Sequence, residues 1–107
     1  MSTEYSEQSI LTIAFDITLP EYDGLLVCRV NSLTGELTEI VLPTPKAGRA
    51  FDLTKVSEDT NEVEIDMNGY TCNGESSLTS LQFIGDNLTL YGDGTKWNYG
   101  NPTLVIP

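Results

Sequence analysis

The chain has 107 residues, enough for one domain, and its 29 Leu, Ile, Val and Phe residues are sufficient to build a packed core. Sixteen Asp and Glu against five Lys and Arg give a net charge of -11, so binding to DNA, RNA or an anionic membrane surface, each of which needs a basic face, is excluded as an expectation. With no His and only two Cys, the commonest zinc sites, Ser-His-Asp and Cys-His catalysis and imidazole proton transfer are out of reach of one chain.

Thirteen Thr, nine Gly and three Ala favour strands and tight turns over helices. The first strand is predicted over Ile10 to Leu19, where Leu11, Ile13, Phe15, Ile17 and Leu19 alternate with Thr12, Ala14, Asp16 and Thr18. Pro20 and Asp23-Gly24 stop it, and Leu25 to Val30 reads as a strand apolar enough to be covered on both faces. The turn residues from Asn31 to Gly35 would return the chain along Glu36 to Leu42 as a hairpin. Pro43 to Gly48 breaks regular structure, and the stretch on to Thr60, lacking a clear period, reads as a loop with room for one helical turn.

Alternation resumes over Glu62 to Met67, with Val63, Ile65 and Met67 on the inner face. Asn68-Gly69, the strongest short hairpin signal, would pair Met67 with Tyr70 and Ile65 with Cys72. Gly74 to Ser77 is expected to be a bend or bulge. A two-residue loop at Gly85-Asp86 would pair Phe83 with Leu88 and Leu81 with Leu90. Another at Asp93-Gly94 would pair Leu90 with Trp97 and Leu88 with Tyr99, making both aromatics core residues. Thr103 to Ile106 supplies a short last strand. The expectation is an all-β, single-domain antiparallel β-sandwich or small barrel of about eight short strands, with a polar arm at residues 1–8 and the domain at 9–107. No internal repeat or low-complexity segment is visible.

Cys28 and Cys72 lie 44 residues apart, which fits neither a Cys-x-x-Cys redox pair nor a disulfide-rich scaffold, and each falls on an apolar strand face, so two buried reduced thiols are expected. No run of 18 apolar residues exists, and the beginning lacks the basic and apolar regions of a signal peptide, so the expected place of synthesis is the cytosol.

Charge is unevenly spread. Residues 56–95 hold eight carboxylates and no basic residue, whereas residues 24–55 come to +1. Glu62, Glu64 and Asp66 would project from one strand face at roughly 6.5 to 7 Å, close to the spacing of successive phosphates on a nucleic-acid strand, and are the candidate partner-binding residues. A solvated or aggregation-resistant strand face explains the same row. Asp86 and Asp93 sit where two-residue turns favour Asp beside Gly, without the spacing of a calcium loop. Paired carboxylates of a glycosidase would need a deep cleft, for which the chain has little room. Tyr91, Trp97 and Tyr99 resemble a sugar-binding platform in composition, but the predicted register buries two of the three.

The functional expectation is therefore a non-enzymatic structural or interaction module without a cofactor or metal. Its most specific form is a virion subunit, a head-decoration or tail component, that packs against protein partners in a homo-oligomer or larger viral assembly. The alternative is an acidic nucleic-acid mimic that blocks the basic groove of a nucleic-acid-binding protein. Neither involves direct contact with nucleic acid or a membrane.

Overall fold

The computed structural model describes residues 10–99; the expected arm at 1–8 and the expected strand at 103–106 lie outside the described residues. Nine strands and no helix are found in the described part: β1 (Ile10–Ile13), β2 (Ile17–Thr18), β3 (Gly24–Val30), β4 (Glu39–Val41), β5 (Arg49–Lys55), β6 (Val63–Asp66), β7 (Ser77–Leu81), β8 (Asn87–Gly92) and β9 (Trp97–Tyr99). They form a five-stranded sheet in the order β1-β3-β5-β8-β9 and a four-stranded sheet in the order β2-β4-β6-β7. Among the described residues both sheets end in open edges, and they do not close into a barrel.

The antiparallel expectation holds only in part. From β1 to β6 the chain alternates between the sheets, so β1, β3 and β5 run parallel, as do β2, β4 and β6. Parallel neighbours need a long crossover, and here a strand of the opposite sheet forms part of each one. Only the end of the chain turns back: β7 pairs antiparallel with β6, β8 with β5, and β9 with β8.

The step from the second turn of this coil to the third is 25 residues in both sheets, pairing Cys28 with Leu53 and Ile40 with Ile65, whereas the first step is shorter, pairing Leu11 with Cys28 and Ile17 with Ile40. Residues in register stack in ladders, Leu11 beside Cys28 and Leu53 in one sheet, Ile40 beside Ile65 in the other with the exposed Ile17 at the end of the row. Of the strand and corner positions at this offset, only Ser32/Ser57, Glu39/Glu64 and Ile40/Ile65 are identical over 24–41 and 49–66, which is why no repeat is legible in the sequence. The inner faces of both sheets share one core, with Leu26, Cys28, Phe51, Leu53 and Leu90 from one and Ile40, Val63, Ile65 and Leu81 from the other.

Several predicted pairings change because a turn signal cannot distinguish a hairpin from a corner between sheets. The alternating run from Ile10 to Leu19 is two strands in different sheets; at the bend Phe15 is exposed, while the Asp16 carboxylate accepts the N–H groups of Thr38 and Glu39 at 2.7 and 2.9 Å. The expected hairpin of 25–30 with 36–42 does not form, since β3 and β4 belong to different sheets, and β3 is buried on one face only, with Leu25 exposed. The expected loop on to Thr60 contains β5, a central strand whose inward positions are Arg49, Phe51, Leu53 and Lys55. Phe83, expected in the core, is exposed in the corner from β7 to β8.

Asn68 and Gly69 do adopt the positive φ angles, 58° and 88°, of a tight hairpin turn, closed by Tyr70 N–H on the Met67 carbonyl. A second tight turn at Asn73-Gly74 follows at once, however, and Ile65 pairs with Leu78 in place of Cys72. The β8–β9 loop has four residues, not two, because the Asp93 carboxylate accepts N–H bonds from both Thr95 and Lys96. This moves the register by two, to Leu90 with Tyr99 and Gly92 with Trp97, leaving Trp97 buried and Tyr99 exposed on the edge strand.

Candidate functional site

The three candidate carboxylates do not form a straight row on one strand. Glu64 and Asp66 occupy the outer face of β6 and are half-buried, whereas Glu62 precedes the strand and is exposed. Because β4 lies in register beside β6, Glu39 stands directly across from Glu64, and on the other side Thr79 faces Glu64 and Ser77 faces Asp66. The outer face of the four-stranded sheet thus gathers Glu39, Glu64 and Asp66 into a patch two strands wide.

Each acid on this face has a different environment. Partial burial, then the Asp66 carboxylate, to which it is also hydrogen-bonded, and then Glu64 and Asp16 push the Glu39 carboxyl above its ordinary range. Asp16 moves the other way, because the main-chain N–H groups of Thr38 and Glu39 bind its ionised form. Asp66 also receives the N–H of Asn68 at 2.8 Å and so helps to set the turn after β6. Glu39 is the member of the patch that sequence reasoning did not select. It is 23 to 27 residues from Glu62, Glu64 and Asp66, and only the parallel register brings it to them.

The other carboxylates considered have structural partners. Asp86 accepts the N–H groups of Gln82 and Phe83 at 3.0 and 2.8 Å, and Asp93 binds Thr95, Lys96 and the Asn98 amide. These donors hold the Asp93 carboxyl at about 2. Asp86 lies in the corner before β8 and Asp93 in the loop after it, at opposite ends of that strand, so the two cannot share a cation. Among the described residues no group of three or more Asp, Glu or Cys side chains is placed to hold a metal ion. Tyr91 projects to the face opposite Trp97 and Tyr99, so these aromatics do not form one platform.

The cations are mostly committed. Arg49, buried at the start of β5, donates to the Tyr22 and Thr44 carbonyls and pairs with Asp23 at 3.2 Å. Lys46 pairs with the same Asp23 at 3.2 Å. Lys55 is fully buried at the other end of β5, and its Nζ donates to Asp59 Oδ1 (2.7 Å), the Asn61 carbonyl (2.7 Å) and the Gln82 carbonyl (2.6 Å). Burial alone would raise the Asp59 carboxyl; Lys55 and the hydroxyl and N–H donors around it outweigh that and hold it well below the usual range. Two buried serines one coil apart complete this plug, Ser32 donating its N–H to Ser57 and its hydroxyl to Asp59.

Cys28 and Cys72 are both free and buried. Among the described residues no helix is long and apolar enough to cross a membrane. No protein family matches the chain, and neither the curated proteins nor the solved structures yield a significant similarity to it.

Proposed function

We propose that this chain is a non-enzymatic interaction module, a sandwich of two mixed sheets that packs as a subunit into a larger protein assembly. The observation that carries the reading is the edge formed by β1 and β2 at the start of the coil. Among the described residues both are edge strands of their sheets, neither contains a charge or a proline, and Ile10 and Ile17 are exposed on them. Soluble proteins usually blunt such edges with charge, proline or a bulge, because the unpaired main-chain groups are a template for another strand. In a chain with sixteen carboxylates, leaving this edge uncharged favours its being covered by a neighbour. The narrower form, a head-decoration or tail component of a virion made in the cytosol, draws its support from small size, acidity and an all-strand body.

A second reading, the acidic mimic that fills a basic groove, is favoured by the Glu39, Glu64 and Asp66 patch. Changing Glu39→Gln, Glu64→Gln and Asp66→Asn together separates the two. For an assembly subunit, the native mass measured by sedimentation should remain that of a multimer after the triple change and in ~0.5 M salt, where charges are screened within a few Å, and should fall when residues 1–8 are deleted. Loss of assembly or of partner capture on neutralising that face, with the deletion harmless, would favour the mimic and overturn the first reading.

A further inference from the structure

The connections 14–16, 31–38, 56–62 and 82–86 all lie along one edge of the body. β1, β3 and β5 are parallel and leave the five-stranded sheet on that side, β2, β4 and β6 enter the four-stranded sheet there, and the antiparallel return from β7 to β8 crosses at the same place. Adjacent corners are tied by main-chain bonds, from Asn31 to Ile13, Val56 to Val30 and Gly85 to Lys55. Every one of the four carries a large apolar side chain that the core does not take: Phe15, Leu33, Val56, Phe83 and Ile84 are 44% to 65% exposed. With strands ~4.8 Å apart, four neighbouring corners span about 14 Å, or about nine residues of helix. Together the five side chains, on four neighbouring corners, offer apolar surface on the order of 500 Å², over half of what one side of a standard protein interface buries.

The charge along this edge specifies what fits. Its four connections contain no Lys or Arg, while Glu36, Glu58 and Glu62 are exposed in them and form no ion pair among the described residues. Lys46 and Lys96 lie in connections at the opposite edge, Arg29 is on the outer face of β3, and Arg49 and Lys55 are buried. A symmetric contact between two copies through this edge would bring like charges together. We propose that the edge is a docking site for a cationic amphipathic segment of a protein partner, whose apolar side chains cover Phe15, Leu33, Val56, Phe83 and Ile84 while its Lys and Arg meet Glu36, Glu58 and Glu62. This rests on the reading of the chain as a protein-binding module and adds the chemistry of the partner.

The test uses the full chain and three fluorescein-labelled peptides of 14 residues: a Leu/Lys sequence with helical periodicity, the same composition scrambled, and the periodic sequence with Glu for Lys. The first should bind, the scrambled one at least tenfold more weakly, and the anionic one not measurably. Phe15→Gln with Ile84→Gln should weaken the Leu/Lys complex at least tenfold, and Glu36→Gln, Glu58→Gln and Glu62→Gln about tenfold at low salt. Leu25→Gln, an exposed apolar position on another face, and Glu64→Gln with Asp66→Asn should change it less than twofold. Equal losses from these controls, equal binding of the scrambled peptide, or no binding at all would overturn the proposal. So would a native dimer that Phe15→Gln with Ile84→Gln dissociates, since the occupant would then be a second copy. A chain that sediments as a monomer yet binds the peptide in this pattern ends the assembly reading and leaves the docking site standing.

Discussion

A Cβ atom built on Gly92 would lie 2.5 Å from the carbonyl carbon of Pro45. The segment from Pro43 to Gly48, which breaks every strand pattern in the sequence, is thus pressed onto the end of β8, with Pro43 and Pro45 buried and the Pro45 carbonyl accepting the N–H of Gly94 at 2.7 Å. The atoms in the way are backbone, so Gly92→Ala must displace the segment and should cost about 1–3 kcal/mol, as overpacking does. The urea midpoint measures it. A Gly94→Ala change, strained by a φ of 98° but meeting no neighbour, should leave the segment seated.

Trp97 anchors the same region from inside. It is fully buried, its indole N–H donates to the Pro43 carbonyl at 3.2 Å, and its ring lies 5.7 Å from that of Phe51. Trp97→Ala should therefore cost ~3 to 5 kcal/mol, whereas Tyr91→Ala, at a half-buried outward position, should be mild. Thermal unfolding of the two variants side by side gives the comparison.

What was legible in the sequence follows from how far each signal reaches. Val63, Ile65 and Met67 were found because alternation is local, and all three are buried. The turn at Asn68-Gly69 was found because its backbone demands those residues, but the pairing drawn from it failed, since a second turn at Asn73-Gly74 intervenes before β7. β5 was missed because its inward row begins with Arg49 and ends with Lys55, and a charge in the core is invisible until its partners are known. The acidic patch was half legible for the same reason: Glu64 and Asp66 are neighbours on one strand, but Glu39 joins them only through parallel pairing.

The Lys55–Asp59 pair should be the costliest polar interaction to break. Lys55→Met would strand a carboxylate that is nearly buried and leave the Asn61 and Gln82 carbonyls without their donor, a loss of ~3 to 5 kcal/mol. Its pH dependence has a definite sign. The folded-state pKa of Asp59 is depressed, so the pair's contribution is complete above the unfolded value, near pH 4, and is lost as pH falls below it. Denaturant titrations from pH 7 down to pH 2 should show the difference between wild type and Lys55→Met narrowing only in the acid range.

Both thiols should be inert in the folded protein. Burial, and for Cys28 also the Asp52 carboxylate, pushes the Cys28 thiol up to about 12, and burial takes Cys72 to about 11. At neutral pH almost no thiolate is present and a reagent has no path to the sulfur. Alkylation by iodoacetamide at pH 7.5 should run at least ~100-fold slower than on an unstructured peptide and should accelerate with urea in step with unfolding. Fast labelling of Cys28 in the native protein would show that β3 opens independently of the rest.

Neutralising Glu39 should stabilise the fold. Its pKa is raised in the folded state by partial burial and by Asp66, Glu64 and Asp16, so ionised Glu39 is less favourable folded than unfolded. For an acid shifted upward, the cost is absent below the unfolded pKa, near pH 4, develops as pH rises through the folded value, and is complete at pH 7. Glu39→Gln removes that cost, and its amide can donate permanently to Asp66, which an ionised Glu39 cannot do. The variant should melt higher than wild type at pH 7, with the gain shrinking toward zero as pH falls below about 4. Raising the salt at pH 7 should narrow the same gap, because screening weakens the repulsion in the wild type alone. A variant that melts lower than wild type at pH 7 would mean that Glu39 holds β4 against β6 by a contact its ionised form makes.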